Sequence, residues 1–476
     1  MKTNQTINSM LALVALLTFN LQLTTASAQG SQMFPIVTND TAATSFTAAC
    51  AGSNYLVGIQ GDYVGSNSYQ ITAQLFGPDG TPVGARINPV PGHTGGNSFP
   101  ASSGTNELMA WPDDYNNGIV GQIISPSGAL VGSWFVIYTS SNPEDFSSLA
   151  YGDGKYLATW NDYSNGPNWT FYGRLVSASG ALLGGILSIS QPVNGQDEQG
   201  GSVAFDGTNF LVVWQFCSAS NHYVTDGVFN SPSGVMGTPF AIGQTVSSTR
   251  NVHGGAFALF NGTNYFVVWN LDSGLGSTNA RIWNIYGRFM TPSGAFLGNE
   301  FAIVTNGNPT FPGLAFDGIN YLLSWNVNFG ATNSNIQCQF LNANGQLMGP
   351  QFSPFTAQGS EVPLATFPIY DGKRFVLVTS LSAGGFTPTN DAAIYGTFIP
   401  ASTTTPQFCA GTTYSGQKCC LSLAGTPGIN YAIQMTTNLV APSWTSIVTN
   451  SPTNGTFVFS DAGATNRSRY YRALKQ

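Results

Sequence analysis

One motif, read seven times along the chain, limits what this sequence can fold into more than any other feature. Residues 256–298 show it most fully: FALFNGTNYFVVW, a variable stretch, then IYGRFMTPSGAFLG. Residues 203–237 repeat it as VAFDGTNFLVVW and DGVFNSPSGVMG, and residues 314–349 as LAFDGINYLLSW and IQCQFLNANGQLMG. Weaker copies occupy 51–84, 104–132, 150–184 and 369–398. The residue opening the second apolar run of each copy falls at 55, 107, 156, 210, 265, 321 and 375. That is six steps of about 53 residues, a repeat length that belongs to a supersecondary unit too small to bury its own core.

Each copy reads as four strands. The first ends at a tight turn such as Asp206-Gly207 or Asp317-Gly318, where an Asp-Gly pair predicts a type I′ hairpin. The second, for example 265–269 (YFVVW), is apolar throughout rather than alternating, so both its faces are expected to be buried between neighbouring sheets. The third is the IYGRF run, closed by a Ser-Pro-Ser-Gly turn. The fourth carries runs such as 301–304 (FAIV). Seven such units predict an all-β chain, a seven-bladed β-propeller over residues 29–399. A β-solenoid is the rival, but its rungs are shorter and it has no need to close.

The ends of the repeat array predict closure. The seventh copy stops after IYGTFIP (394–400) without a fourth strand, while QMFPIVTN (32–39) is similar to NEFAIVTN (299–306). The strand near the N-terminus is therefore expected to lie outermost in blade seven, paired with 394–398. Pro35 has no N–H to donate, which suits an edge strand. Pro239 and Pro354 are expected at the same outer location. Two residue types recur at fixed positions. Trp111, Trp160, Trp214, Trp269 and Trp325 end the second strands, and Ala73, Gly121, Gly173, Gly227, Gly287, Cys338 and Gly396 interrupt the third. The tryptophans read as core, with the small residues giving rings of the adjoining sheet a flat seat.

The flanks differ in character. Residues 1–28 read as an export signal: Lys2, the apolar run Met10 to Leu17, and Ala26-Ser27-Ala28 as a small-residue cleavage site. Eight apolar residues are too few to cross a bilayer, and no later stretch is longer. The mature chain is expected to have no transmembrane segment and to act outside the cell, at its surface or in a periplasm. Residues 400–408 read as a linker. Five strand-like runs follow within 409–476, enough for a small β-sandwich. Charge changes sign there: residues 29–399 carry 8 basic and 20 acidic groups, and 400–476 carry 5 and 1. Export permits disulfides, and Cys409, Cys419 and Cys420 are close enough in sequence for one bridge between Cys409 and either of the others. Cys50, Cys217 and Cys338 stand alone and read as buried apolar groups.

Two resemblances accompany these patterns. The blade repeat (DG-x-NYLVVW with IYGR-x-SPSG-x-LG) resembles repeats in secreted bacterial proteins. The run GINYAIQMTTNLVAPSWTSIVTN, with GTFVFSDAG and RYYRALKQ, resembles a module at the C-termini of many exported bacterial proteins of differing architecture. That second likeness implies sorting or surface attachment, and neither implies a catalytic residue.

Chemistry is scarce. No G-x-S-x-G or H-E-x-x-H occurs, the sialidase-type S-x-D-x-G-x-x-W turn is missing, and the only histidines are His93, His222 and His253. No EF-hand run supports calcium, and no cofactor is expected. Only 7% of residues are charged and few are basic, which argues against a nucleic-acid partner. In a propeller the loops from strand 2 to 3 and from strand 4 to 1 share one face. Here those loops are long and variable, while the turns opposite are short and uniform, so ligand contact is expected on the variable face. Asp62, Asp113, Asp114, Asp162 and Asp272 follow second strands, and Glu144, Asp145, Asp197 and Glu198 fall in 4-to-1 loops. Tyr63, Tyr115, Tyr163, Trp169, Tyr223 and Trp283 accompany them. Carboxylates beside exposed rings suit carbohydrate: rings stack on the apolar faces of sugars while carboxylates accept hydroxyl hydrogen bonds. The favoured reading is a monomeric, non-enzymatic binding or adhesion protein with a glycan or protein ligand. A polysaccharide hydrolase or lyase using two of these carboxylates, and a structural envelope component, are the alternatives.

Overall fold

The computed structural model describes residues 33–41, 43–45, 47–65, 68–140, 144–163, 170–190, 197–217, 223–244, 255–275, 281–328, 334–355, 361–364, 366–383, 391–401, 407–408, 413–415, 418–424, 431–438, 443–450, 456–461 and 469–475. The expected signal segment 1–28 lies outside them. All regular structure among the described residues is β-strand, and no helix there is long and apolar enough to cross a membrane.

Seven antiparallel sheets follow one another along the chain; six have their strands in sequence order from innermost to outermost, and the seventh takes its outermost strand from near the N-terminus. Blade 1 is built from Ala48–Ala51, Asn54–Gly65, Ser68–Phe76 and Pro82–Ile87, and blade 2 from Phe99–Ser102, Glu107–Asp113, Gly118–Ile124 and Leu130–Thr139. Blade 3 takes Glu144–Gly152, Lys155–Asp162, Thr170–Ser177 and Leu182–Ser188, and blade 4 takes Asp197–Phe205, Phe210–Cys217, Tyr223–Asn230 and Phe240–Gln244. Blade 5 comprises Ala256–Phe260, Tyr265–Leu275, Arg281–Met290 and Phe301–Val304, and blade 6 comprises Pro309–Phe316, Tyr321–Val327, Asn335–Leu341 and Leu347–Phe352. In blade 7 the innermost strand is split into Glu361–Pro363 and Ile369–Tyr370, followed by Arg374–Ala383 and Asp391–Pro400. The chain is a seven-bladed β-propeller.

Its fourth strand in blade 7 is Phe34–Thr41, which pairs antiparallel with Asp391–Pro400 through Phe34↔Gly396, Pro35↔Tyr395 and Val37↔Ile394. Pro35 sits on the outer edge, where its missing N–H leaves no ladder bond unmade. Pro239 and Pro354 flank the fourth strands of blades 4 and 6 rather than lying within them. The innermost strands are edges too, and Pro309, Pro312 and Pro363 occupy them.

The second-strand tryptophans are the largest buried groups, Trp111 and Trp160 fully so. Each faces the preceding blade: Trp160 meets Tyr138 of blade 2 and Trp214 meets Phe171 of blade 3. Truncating any one to Ala removes a ring from a close-packed layer, at a cost of about 3–5 kcal/mol. The small residues of the third strands serve a different neighbour from the one expected. A Cβ on Gly227 would meet Ile242 and Leu211, and one on Gly396 would meet Phe34 and Ile36. Both sets belong to the fourth and second strands of the same blade. The space over the glycine is filled from within the blade, and the next blade's tryptophan joins that cluster, as Trp269 joins Leu211 and Ile242.

The short turns also depart from expectation. Only Asp153-Gly154 places both residues in the left-handed region (φ 50° and 76°), as a type I′ turn requires. In Asp206-Gly207, Asp317-Gly318 and Asp371-Gly372 only the glycine has positive φ. There the aspartate carboxylate accepts N–H bonds from two and three residues ahead, as Asp206 does from Thr208 and Asn209 (both 2.7 Å). The side chain satisfies donors that the backbone would otherwise have to pair.

On the same turn face, second-strand tyrosines latch blades 1, 3, 5 and 6 to the turn of the blade before. Tyr156 Oη donates to Asn106 O (3.1 Å) and Tyr265 Oη to Asn209 O (3.2 Å). At the closure seam Tyr55 of blade 1 donates to the Asp371 carboxylate of blade 7, and Arg374 Nη2 donates to Tyr55 Oη (3.1 Å). The Arg374 guanidinium also lies 3.5 Å above the Phe398 ring. The seam is thus the most heavily built of these latches. Inside the ring, Phe257 of blade 5 and Phe367 of blade 7 stack with ring centres 5.8 Å apart, and a Cβ on Gly313 of blade 6 would meet Phe367.

After Pro400 two small sheets follow. Lys418–Ala424 pairs with Gln407–Phe408, Thr413–Ser415 and Thr456–Asp461, and Tyr431–Thr436 pairs with Thr445–Asn450 and Tyr470–Lys475. Tyr431 and Ile433 of the second pack on Phe459 of the first, giving a small β-sandwich-like unit. Cys419 and Cys420 are consecutive on one strand, and Cys409 lies outside the described residues.

Candidate binding face

Antiparallel order puts the ends of the second strands and the starts of the innermost strands on one face, opposite the tight turns. The sequence-predicted residues described there are in several different situations. Asp113 is the last residue of its strand and its side chain is wholly enclosed. Nδ1 of His93, from the loop entering blade 2, donates to its two oxygens at 3.0 and 3.2 Å. An imidazole nitrogen this close to a carboxylate carries the proton. The Asn116 backbone N–H (2.9 Å) and Nδ2 (2.6 Å) complete the set. Asp162, at the equivalent position in blade 3, is likewise buried and accepts from Tyr138 Oη of blade 2 and from Ser140 Oγ (3.4 Å). Asp113 and Asp162, two of the carboxylates expected to meet ligand, are thus pins, accepting bonds that hold neighbouring loops in register. A buried carboxylate is stable only with such donors around it.

Asp114 accepts from Thr94 Oγ1 (2.9 Å) across the same pair of loops, and Asp62 faces Arg86 (3.7 Å) from a left-handed backbone (φ 48°). What the pins present to solvent is aromatic. Tyr115, directly after Asp114, is 74% exposed, and Tyr163, directly after Asp162, is 37% exposed. The Tyr115 ring lies 4.5 Å from the His93 ring, and Trp134 meets His93 edge-on at 5.2 Å. Two aromatic rings therefore flank the His93–Asp113 pair, and one of them, Tyr115, is open to solvent.

Other expectations are redistributed. Glu144 and Asp145 begin the innermost strand of blade 3, and Asp197 and Glu198 that of blade 4; they are strand residues rather than loop residues. Asp272 lies within the second strand of blade 5, opposite Trp283, whose indole is buried rather than offered to a ligand. Tyr63 and Tyr223 are strand residues, and Trp169 lies outside the described residues.

Sequence reasoning missed one recurrent device here. The residue after each second-strand tryptophan, or its equivalent, is Gln60, Asn161, Gln215, Asn270 or Asn326 in five blades. Being one residue on, it points to the opposite side of the sheet, toward the next blade. Gln60 Nε2 donates to Gly95 O (3.2 Å), Gln215 Nε2 to Asn270 O (2.8 Å) and Asn270 Nδ2 to Pro309 O (2.8 Å). Asn270 Oδ1 also accepts the N–H of Phe311 (2.9 Å), which holds Phe311 at a left-handed φ of 53°. The W-N/Q pairs were visible signals for this carboxamide clamp.

Two further carboxyls stand apart from this face. Glu107 occupies the position where every other blade has Tyr or Phe; it is fully buried, and burial pushes its carboxyl up to about 7. Asp226, on the third strand of blade 4, is pushed up to about 6 by the same cause.

No family model matches the chain, and no curated protein matches it by sequence. Among solved structures it is similar to one from a study of two prolyl endopeptidases (9% identity, 82% of this chain and 55% of that one, TM-score 0.43). It is also similar to the β-propeller domain of the trilobed protease from Pyrococcus furiosus (10% identity, 78% and 98% covered, TM-score 0.42). A third similarity is to the α-L-arabinofuranosidase of Fusarium graminearum (10% identity, 63% and 91% covered, TM-score 0.42). The chain spans about half the length of the prolyl endopeptidase it matches.

Proposed function

We propose that this is an exported binding protein whose variable propeller face takes carbohydrate on exposed tyrosines, with its C-terminal unit serving attachment or sorting. One observation carries the reading: the face spends Asp113 and Asp162 on holding its own loops rigid and leaves Tyr115 and Tyr163 open above them. Rigid rings lose little entropy on stacking against a sugar, so preorganisation favours binding. A hydrolytic site would need an acid and a base free to reach substrate. Asp113 and Asp162 are committed to other partners, which favours binding over hydrolysis.

A glycan array with the mature protein tests this, followed by titration of any hit. Tyr115→Ala and Tyr163→Ala should each weaken the hit by roughly tenfold, the size of one lost stacking contact. An array blank at micromolar protein, or a hit indifferent to both substitutions, would overturn the reading.

A further inference from the structure

Outside the propeller, one side chain is built into a receptor geometry that no described residue fills. Arg472 lies on the strand Tyr470–Lys475 of the C-terminal unit, opposite Gln434. Its guanidinium is stacked 4.4 Å from the centre of the Trp444 ring. Its Nε donates to Gln434 Oε1 (2.8 Å), and Gln434 is itself held by donating Nε2 to Ser446 Oγ (3.1 Å). Both the plane and the inner edge of the guanidinium are thereby fixed. Its two terminal nitrogens have no acceptor among the described residues. A guanidinium held this way presents two parallel N–H donors, the geometry that grips a carboxylate or sulfate in bidentate fashion.

The surroundings narrow the ligand. Strand alternation puts Tyr470, Arg472 and Leu474 on one face of the sheet, the other face carrying Tyr471 and Ala473 into the core. Tyr470 and Leu474 are each 38% exposed, so rings and aliphatic surface flank the cation. Among the described residues no carboxylate pairs with it. Asp461 is the only acidic residue of 400–476, and it is held by Arg469 (2.9 Å) and Tyr471 (2.8 Å). With 5 basic residues against that 1, the unit attracts anions, whereas the propeller, with 8 basic against 20, repels them.

We infer that the sheet face around Arg472 and Trp444 binds an acidic polysaccharide, the guanidinium taking the carboxylate of a uronic-acid unit and Tyr470 stacking on a neighbouring ring. This places a second saccharide-binding surface on the chain and does not depend on the one proposed for the propeller.

Affinity electrophoresis of the full mature chain tests it, with polygalacturonate in the gel as probe, and dextran and poly-glutamate as controls. Polygalacturonate should retard the protein, dextran should not, and retardation should fade as salt rises. Arg472→Lys keeps the charge but loses the fork, and it should weaken retention about tenfold, as should Tyr470→Ala. Both sites are partly exposed, so melting temperature should hold and show the fold intact; Arg472→Gln gives a second variant if either fails to fold. Retention equal for wild type and Arg472→Lys would refute the fork. Equal retention by poly-glutamate would point to an acidic peptide instead, and full retention by Arg472→Gln would move the binding off this face. Any of these, or no retardation by polygalacturonate, overturns the inference.

Discussion

Glu107 offers the sharpest test of how the ring is held together. It opens the second strand of blade 2, where the other six blades have Tyr55, Tyr156, Phe210, Tyr265, Tyr321 and Phe375. Its side chain is 0% exposed; Oε1 receives one long bond from Ser102 Oγ (3.4 Å), and Oε2 has no partner. Cys50 of blade 1 and Tyr156 of blade 3 are close enough to feel its charge, and neither is positive. Burial therefore raises its carboxyl from the usual 4.5 to about 7, opposed weakly by Ser102. Because the folded value lies above the unfolded one, the folded chain holds this proton more tightly. Stability relative to a neutral side chain is full below about 4.5 and is lost as pH rises through about 7. The whole shift corresponds to about 3 kcal/mol. Gly104 and Thr105 in the adjoining turn are exposed and let solvent near, so roughly half that, about 1.5 kcal/mol, is the better expectation. Thermal melting of the wild type and Glu107→Gln across about pH 4 to 9 measures it. The two melting temperatures should agree at the acidic end, and the wild type should fall about 2–4 °C below the variant at the alkaline end. Parallel profiles would show that Glu107 is solvated or paired, and the account of the blade 1–2 junction would be wrong.

The closure seam and the loop pins make two further predictions. Arg374→Ala removes the contact with Phe398 and the bond to Tyr55, and should lower stability by about 2 kcal/mol in denaturant titration. Deleting residues 29–38 should cost far more and promote aggregation in light scattering, because it bares the edge of Asp391–Pro400. Asp162→Ala removes an acceptor of the Tyr138 hydroxyl and should cost about 2 kcal/mol, with faster amide exchange in the loops of blades 2 and 3.

Much of the architecture was legible because the repeat states each rule seven times. Second strands apolar on both sides, tryptophans at their ends and small residues in the third strands are one-dimensional signals of a sheet stacked between sheets. The closing strand was legible for the same reason: 32–39 matched 299–306, and only one blade lacked a fourth strand. The binding face was legible only as an inventory. Asp113 and Asp162 read as ligands because sequence shows that a carboxylate exists, not that His93, Asn116, Tyr138 and Ser140 surround it. Those donors come from neighbouring loops and blades, and which of them meet is decided when the ring closes. Trp283 turned inward, and Glu144 and Asp197 joined strands, for the same cause. Chain order and residue pattern determined the blades and their number. Contacts between blades, made across 20 to more than 300 residues, decided which polar groups are spent on holding the ring and which rings face solvent. A buried charge must find its partners wherever the fold brings them, and only tertiary structure does that.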